Sequence, residues 1–154
     1  MFNYKKKNLI LLYMWNLIED LKYGKLREKM VIKYLNENIK DKFKLYENEK
    51  QQVDFRNKEI IGELKSRTIP YEKHNETFFG YNKIKYLKSL ENDNRKWNFY
   101  FLFTNGLFMW EYNEKEYKIK DFVHKEKGLI DQVYVPIKYL KCININMSSN
   151  KIYL

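Results

Sequence analysis

The chain of 154 residues carries a single cysteine, Cys142. No internal disulfide can form, and such cysteine usage fits an intracellular, reducing compartment such as the cytoplasm of a cell or of a virus-infected host. Its two histidines, His74 and His124, lie far apart and offer no zinc-ligand spacing. No Pro- or Gly-rich linker and no internal repeat divides the chain, so residues 1–154 read as one domain. Long hydrophobic runs are also missing. The amino end, Lys5-Lys6-Lys7 followed by Asn8 to Trp15, mimics a signal peptide. Glu19 and Asp20 then interrupt the apolar run too early for a membrane span, and no small-residue cleavage site follows. The expectation is a core helix and no membrane partner.

An apolar fraction of 44% beside 32% charged residues fits a folded domain with a core better than disorder. Lys and Arg number 30 against 20 acids, a net charge of +10 with pI near 9.4. That balance favours an anionic partner, nucleic acid above all. Richness in Lys, Asn, Ile and Tyr, of the kind an AT-rich genome produces, accounts for part of it.

Periodicity places the elements. Leu11, Leu12, Trp15, Ile18 and Leu21 predict an amphipathic helix over 8–22, interrupted at Gly24. A second helix over 25–38 buries Leu26, Met30, Tyr34 and Leu35. Phe43 to Tyr46 alternates as a first strand. Residues 51–67 then read as two strands joined by a turn at 56–59, with Val53 and Phe55 alternating before it and Ile60-Ile61 after it. Tyr71 to Phe79 has no clear period and reads as a loop. A helix over 80–91 puts Ile84, Leu87 and Leu90 on its apolar side and Lys83, Lys85 and Lys88 elsewhere. The run 97–104 is apolar throughout, as a strand covered on both faces would be. Asn105-Gly106 signals a two-residue hairpin turn and Leu107 to Tyr112 the returning strand. A charged segment, 114–127, precedes a short strand at 133–135, which Pro136 ends or confines to an edge. The fold class is α/β, a mixed central sheet flanked by helices.

One constellation carries chemistry. Glu63 and Lys65 lie two apart on a strand and share a face, with Leu64 opposite. Asp54 lies where the hairpin partner should be, so two carboxylates and one ammonium meet. Carboxylates so close repel unless a cation joins them. Two hard oxygen donors and a backbone carbonyl suit Mg2+, which keeps waters for a phosphate. A neighbouring lysine can orient the attacking water or neutralise phosphoryl charge. Acid-x-lysine tripeptides are common in a lysine-rich chain, and Asp20-Leu21-Lys22 and Glu116-Tyr117-Lys118 are two more. Context singles out 63–65: an apolar run before it, an acid on the preceding strand and a basic helix after it. The plainer alternative is an exposed strand face whose charges pair across the hairpin, each pair worth about 0.2–1 kcal/mol.

Asp54 followed by Glu63-Leu64-Lys65 resembles the PD-(D/E)xK nuclease superfamily, with Val53 where the motif has proline. Residues 63–67, Gly80-Tyr81-Asn82-Lys83 and 133–137 extend the resemblance to small viral and phage proteins of this type. The resemblance implies a restriction-endonuclease-like fold and Mg2+- or Mn2+-dependent hydrolysis of phosphodiester bonds, in DNA first. Asp54, Glu63 and the Leu64 carbonyl would hold the metal, Lys65 would serve the water, and a first-helix acid, Glu19, is a further metal candidate. Arg67, one same-face step beyond Lys65, would meet a phosphate. Asn82 and Tyr86 resemble a Gln and Tyr four apart on the helix of some members, and with Lys83, Lys85 and Lys88 they form the expected nucleic-acid surface. Cutting both strands of a duplex would favour a homodimer. The rival classes are a nucleic-acid-binding or viral accessory protein without turnover, and a structural protein.

Overall fold

The aromatic run at 97–103 is the spine of the molecule. The computed structural model describes residues 22–46 and 52–144. The described elements begin with helix α1 over 22–37, then β1 (Lys44–Leu45), β2 (Phe55–Arg56) and β3 (Ile60–Ser66). After a short 3-10 turn come β4 (Glu76–Gly80), α2 (Asn82–Lys88), β5 (Lys96–Phe103) and β6 (Gly106–Glu111). The chain continues through β7 (Lys118–His124), β8 (Gly128–Pro136) and β9 (Lys141–Asn144). Among the described residues the strands form two sheets, one ordered β1-β2-β3-β5-β6-β9 and one ordered β4-β8-β7.

Pairing is antiparallel throughout except between β3 and β5, which run parallel with Glu63 beside Phe99 and Lys65 beside Phe101. Parallel neighbours need a long crossover. Here it carries β4 and α2, and so brings α2 over one face of β3. On that face Ile61, Phe99, Phe101 and Phe103 pack with Ile84 and Leu87 of α2 and with Phe79, Val133 and Val135 of the smaller sheet. On the other face Phe55, Leu64, Tyr100 and Leu102 pack under Val31, Ile32 and Leu35 of α1. Burial on both faces is why β5 is apolar without alternation.

The β2–β3 turn is built by Asn57. Its backbone N–H donates to the Ile60 carbonyl at 2.9 Å, and its Oδ1 accepts the N–H groups of Glu59 and Ile60 at 3.0 and 2.8 Å. An Asx side chain thus does what a further backbone carbonyl would otherwise do.

Several expectations need correction. Gly24 does not interrupt the helix, which runs through it. Leu26 is exposed, and the buried stripe is Arg27, Val31, Ile32 and Leu35, with Met30 and Tyr34 only partly covered. Residues 76–80 are a strand rather than loop, with Thr77 and Phe79 buried and Phe78 out, an alternation hidden by two adjacent phenylalanines. The turn after β5 is Thr104-Asn105, because Phe103 pairs with Gly106. Asn105 serves it through its side chain, accepting the Tyr71 N–H at 2.8 Å and donating to Glu72 at 2.9 Å. The charged segment forms β7, paired along its length with β8. Pro136 ends β8, which is the centre of its sheet and not an edge. The helix expected over 8–22 lies almost wholly outside the described residues.

Gly62 is required where the hairpin crosses Phe55. A Cβ added there would lie 2.0 Å from the Phe55 ring, and that ring is held edge-on by Phe43 at 5.0 Å. Gly62→Ala should destabilise the fold by about 1–3 kcal/mol, the usual cost of forcing extra volume into a packed site. Urea denaturation reads this directly; a midpoint equal to wild type would mean that Phe55 moves aside freely.

Candidate active site

The register of β2 on β3 pairs Phe55 with Gly62 and Arg56 with Ile61, so one further step sets Asp54 beside Glu63. The alternation breaks at that step. Val53 packs on the α2 side of the sheet, whereas Phe55 packs on the α1 side. Asp54, at the crossing point, is bonded on both sides, its carbonyl accepting the Tyr46 N–H at 2.9 Å. Its N–H donates to the Gly62 carbonyl at 3.1 Å, and its Oδ2 accepts the Leu64 N–H at 2.7 Å. The carboxylate has replaced a backbone carbonyl in the ladder. N–H and C=O of one strand residue leave the same edge, so the Leu64 carbonyl faces the Asp54 side too.

Glu63 is 2% exposed. Its Oε1 meets two ammonium groups, Lys65 Nζ at 2.7 Å and Lys83 Nζ at 3.0 Å. Its Oε2 is buried and has no hydrogen-bond partner. Lys65 comes from the same face of β3. Lys83 comes from the first turn of α2, and its ammonium also donates to the Gln52 carbonyl. Stranding a carboxylate without water is costly unless charges and donors meet it; here only one of its oxygens is met.

Burial, then repulsion from Glu63 and Glu28, pushes the Asp54 carboxyl up to about 7, against the opposing Leu64 N–H and Lys65. Burial first and Glu63 second also raise Glu28. Three carboxyls therefore share one field, and the third comes from α1. Sequence reading chose Glu19 for that role; Glu19 lies outside the described residues. The available signal was that Glu28 precedes Val31, Ile32 and Leu35 at helical spacing, a charge within an apolar stripe.

The donor set suits Mg2+ or Mn2+: hard carboxylate oxygens, one of them buried and unmatched, beside a strand carbonyl. Among the described residues no three His, Cys, Asp or Glu side chains are grouped closely enough to hold an ion by themselves. Asp54, Glu63 and the Leu64 carbonyl are the residues that would hold one.

The remaining predicted residues divide. Arg67 is turned to protein: its guanidinium bonds Thr77 Oγ1 at 3.5 Å, the Ser66 carbonyl at 3.3 Å and the Phe78 carbonyl, and lies over the Phe78 ring. Burial lowers it to about 10. It ties β3 to β4. Of the α2 lysines, Lys83 enters the site, Lys85 lies 5.1 Å from the centre of the Tyr81 ring, and Lys88 pairs with Glu114 at 2.8 Å. Asn82 is exposed and Tyr86 is partly buried against the core. Glu116 of the rival tripeptide accepts the Trp110 indole N–H at 2.9 Å and an Asn113 N–H at 3.2 Å, a structural role. Asp20 and Leu21 of the other tripeptide lie outside the described residues.

No protein-family model, curated protein or solved structure matches the chain. Among the described residues no helix is long and apolar enough to cross a membrane.

The raised Asp54 carboxyl makes a signed prediction. Its folded value near 7 exceeds the ordinary 3.8, so the folded state binds the proton more tightly, and stability falls as pH rises between those values. Asn at 54 keeps an acceptor for the Leu64 N–H and removes the charge. In metal-free buffer Asp54→Asn should match wild type near pH 4 and exceed it by about 1–3 kcal/mol at pH 8. Denaturation curves at the two pH values check it. A variant less stable than wild type at pH 8 would mean that the ionised Asp54 is favourable in the apo-protein.

Proposed function

We propose that this protein is a Mg2+- or Mn2+-dependent nuclease of the PD-(D/E)xK type that hydrolyses phosphodiester bonds, in DNA first. The observation that carries the reading is the buried Glu63 carboxylate, paired with Lys65 and half unmatched, one residue before the Leu64 N–H that the Asp54 carboxylate accepts. A carboxylate buried with one oxygen unmatched is costly, and groups so perturbed collect at functional sites. The mixed sheet with α1 on one face and α2 on the other is compatible with a restriction-endonuclease-like core.

In this reading Asp54, Glu63 and the Leu64 carbonyl hold the ion. When bound, the ion neutralises their charge, polarises a phosphoryl oxygen and acidifies a water. Lys65 then finds its acid partner occupied, and its ammonium, at the partly exposed end of the strand, orients the attacking water and offsets phosphoryl charge. Glu28 adds negative charge that favours a cation in the site. The net charge of +10 favours the polyanionic substrate.

A second reading, a nucleic-acid-binding or viral accessory protein without turnover, has one observation of its own: Glu63 Oε1 is already matched by two lysines. Cleavage assays separate the readings. Wild type should nick or degrade DNA with Mg2+ or Mn2+ and not with EDTA. Lys65→Ala should slow cleavage by roughly 10²–10³, the scale for one preorganised electrostatic group, and still bind metal. Asp54→Asn should lose both. If wild type cuts no DNA or RNA with either ion yet binds nucleic acid in a salt-sensitive manner, the second reading stands.

A further inference from the structure

The sequence places Lys83 on a basic helix face beside Lys85 and Lys88, but the fold separates it from them. Lys88 is held by Glu114 and Lys85 by the Tyr81 ring, both on the outer surface. Lys83 points inward, its side chain only 19% exposed, with its ammonium between the Glu63 carboxylate and the Gln52 carbonyl. Gln52 is two residues before Asp54. One ammonium therefore touches one acid directly and the backbone leading to the other.

Resting on the nuclease reading, we propose that Lys83 is the internal counter-ion of the metal-free site, a cation that a divalent ion displaces from Glu63. Asp54, Glu63 and Glu28 carry three acids against the two ammonium groups of Lys65 and Lys83. A divalent ion added to that set without any displacement would leave an excess of positive charge around Glu63, and the Lys83 ammonium, reaching in from a separate element, can withdraw without moving β3. Its four-carbon stem lets the charge swing while α2, pinned by buried Ile84 and Leu87, stays fixed. The displaced ammonium then lies at the mouth of the site, where a substrate phosphate would meet it. Lys83 is thus a positioning residue for the acids in the apo-protein and a phosphate contact in the loaded one.

Mn2+ binding measured by calorimetry on the full chain tests this without reference to cleavage. Lys83→Met keeps the stem and removes the competing charge, so it should bind Mn2+ roughly tenfold more tightly than wild type. Lys83→Arg, which keeps the charge, should stay within about twofold of wild type. Amine acetylation of wild type, read by mass spectrometry, should accelerate at Lys83 when Mn2+ is added and remain constant at Lys88. Equal or weaker Mn2+ binding by folded Lys83→Met, with wild type binding normally, overturns the counter-ion role and leaves the metal site intact. Acetylation of Lys83 indifferent to bound Mn2+ also overturns it. No Mn2+ binding by wild type, Lys83→Met or Lys83→Arg overturns the metal reading and this inference together.

Discussion

A buried carboxylate held by two lysines from different elements fixes where everything else in the site must lie. Glu63 can be inside only because Lys65 and Lys83 meet its Oε1, since an uncompensated charge at that depth would cost several kcal/mol. Lys65 comes with the strand at no extra cost. Lys83 requires α2 to cross the face of β3, and that requires the parallel β3–β5 pairing and its long connection. The ion pairs thus join the topology of the sheet to the chemistry at its edge. They also leave the buried Glu63 Oε2 without a hydrogen-bond partner.

The fold was legible where one physical rule dominated. Continuous apolarity over 97–103 gave a strand buried on two faces, and the 56–59 turn followed from polar residues between apolar runs. Rules failed where two signals overlapped. Phe78 and Phe79 side by side masked the alternation of β4, although Thr77 and Phe79 do face inward. The charged segment 114–127 was assigned no element, because a hairpin arm exposed on both faces has no buried side to impose a pattern. Asn105-Gly106 marked the right hairpin one residue late, because Asn105 acts through side-chain hydrogen bonds and not through a left-handed backbone.

The site divides in the same way. Asp54, Glu63 and Lys65 were chosen from strand periodicity; the structure pairs Lys65 with Glu63 and bonds Asp54 to the N–H of Leu64, the residue after Glu63. The reason given for Asp54 was incomplete, however: regular alternation would have turned Val53 and Phe55 to one face. The break between them, with Gly62 giving room to Phe55, comes where the Asp54 carboxylate turns to the Leu64 N–H. Such a break depends on packing between distant residues and has no local sequence mark. Glu28 did have a mark, being an acid in a buried stripe. The partners of Arg67 and Lys83 had none, since long side chains reach whatever the tertiary fold puts within their length.

These observations explain why Asp54, unlike Glu63 within β3, occupies a stretch of poor regular structure. A carboxylate inside a perfect antiparallel ladder would point straight up from the sheet, and its neighbours would crowd it with other side chains. By leaving the ladder after only two paired residues, β2 frees the Leu64 N–H for Asp54. That single hydrogen bond fixes the carboxylate against burial and the repulsion of Glu63 and Glu28, both of which act to neutralise it. The apo-site is therefore held in opposition: backbone and lysines keep the acids in place while their mutual field resists. In the proposed nuclease a divalent cation would relieve that opposition at both acids at once, where Lys65 pairs with Glu63 and only partly offsets the rise at Asp54.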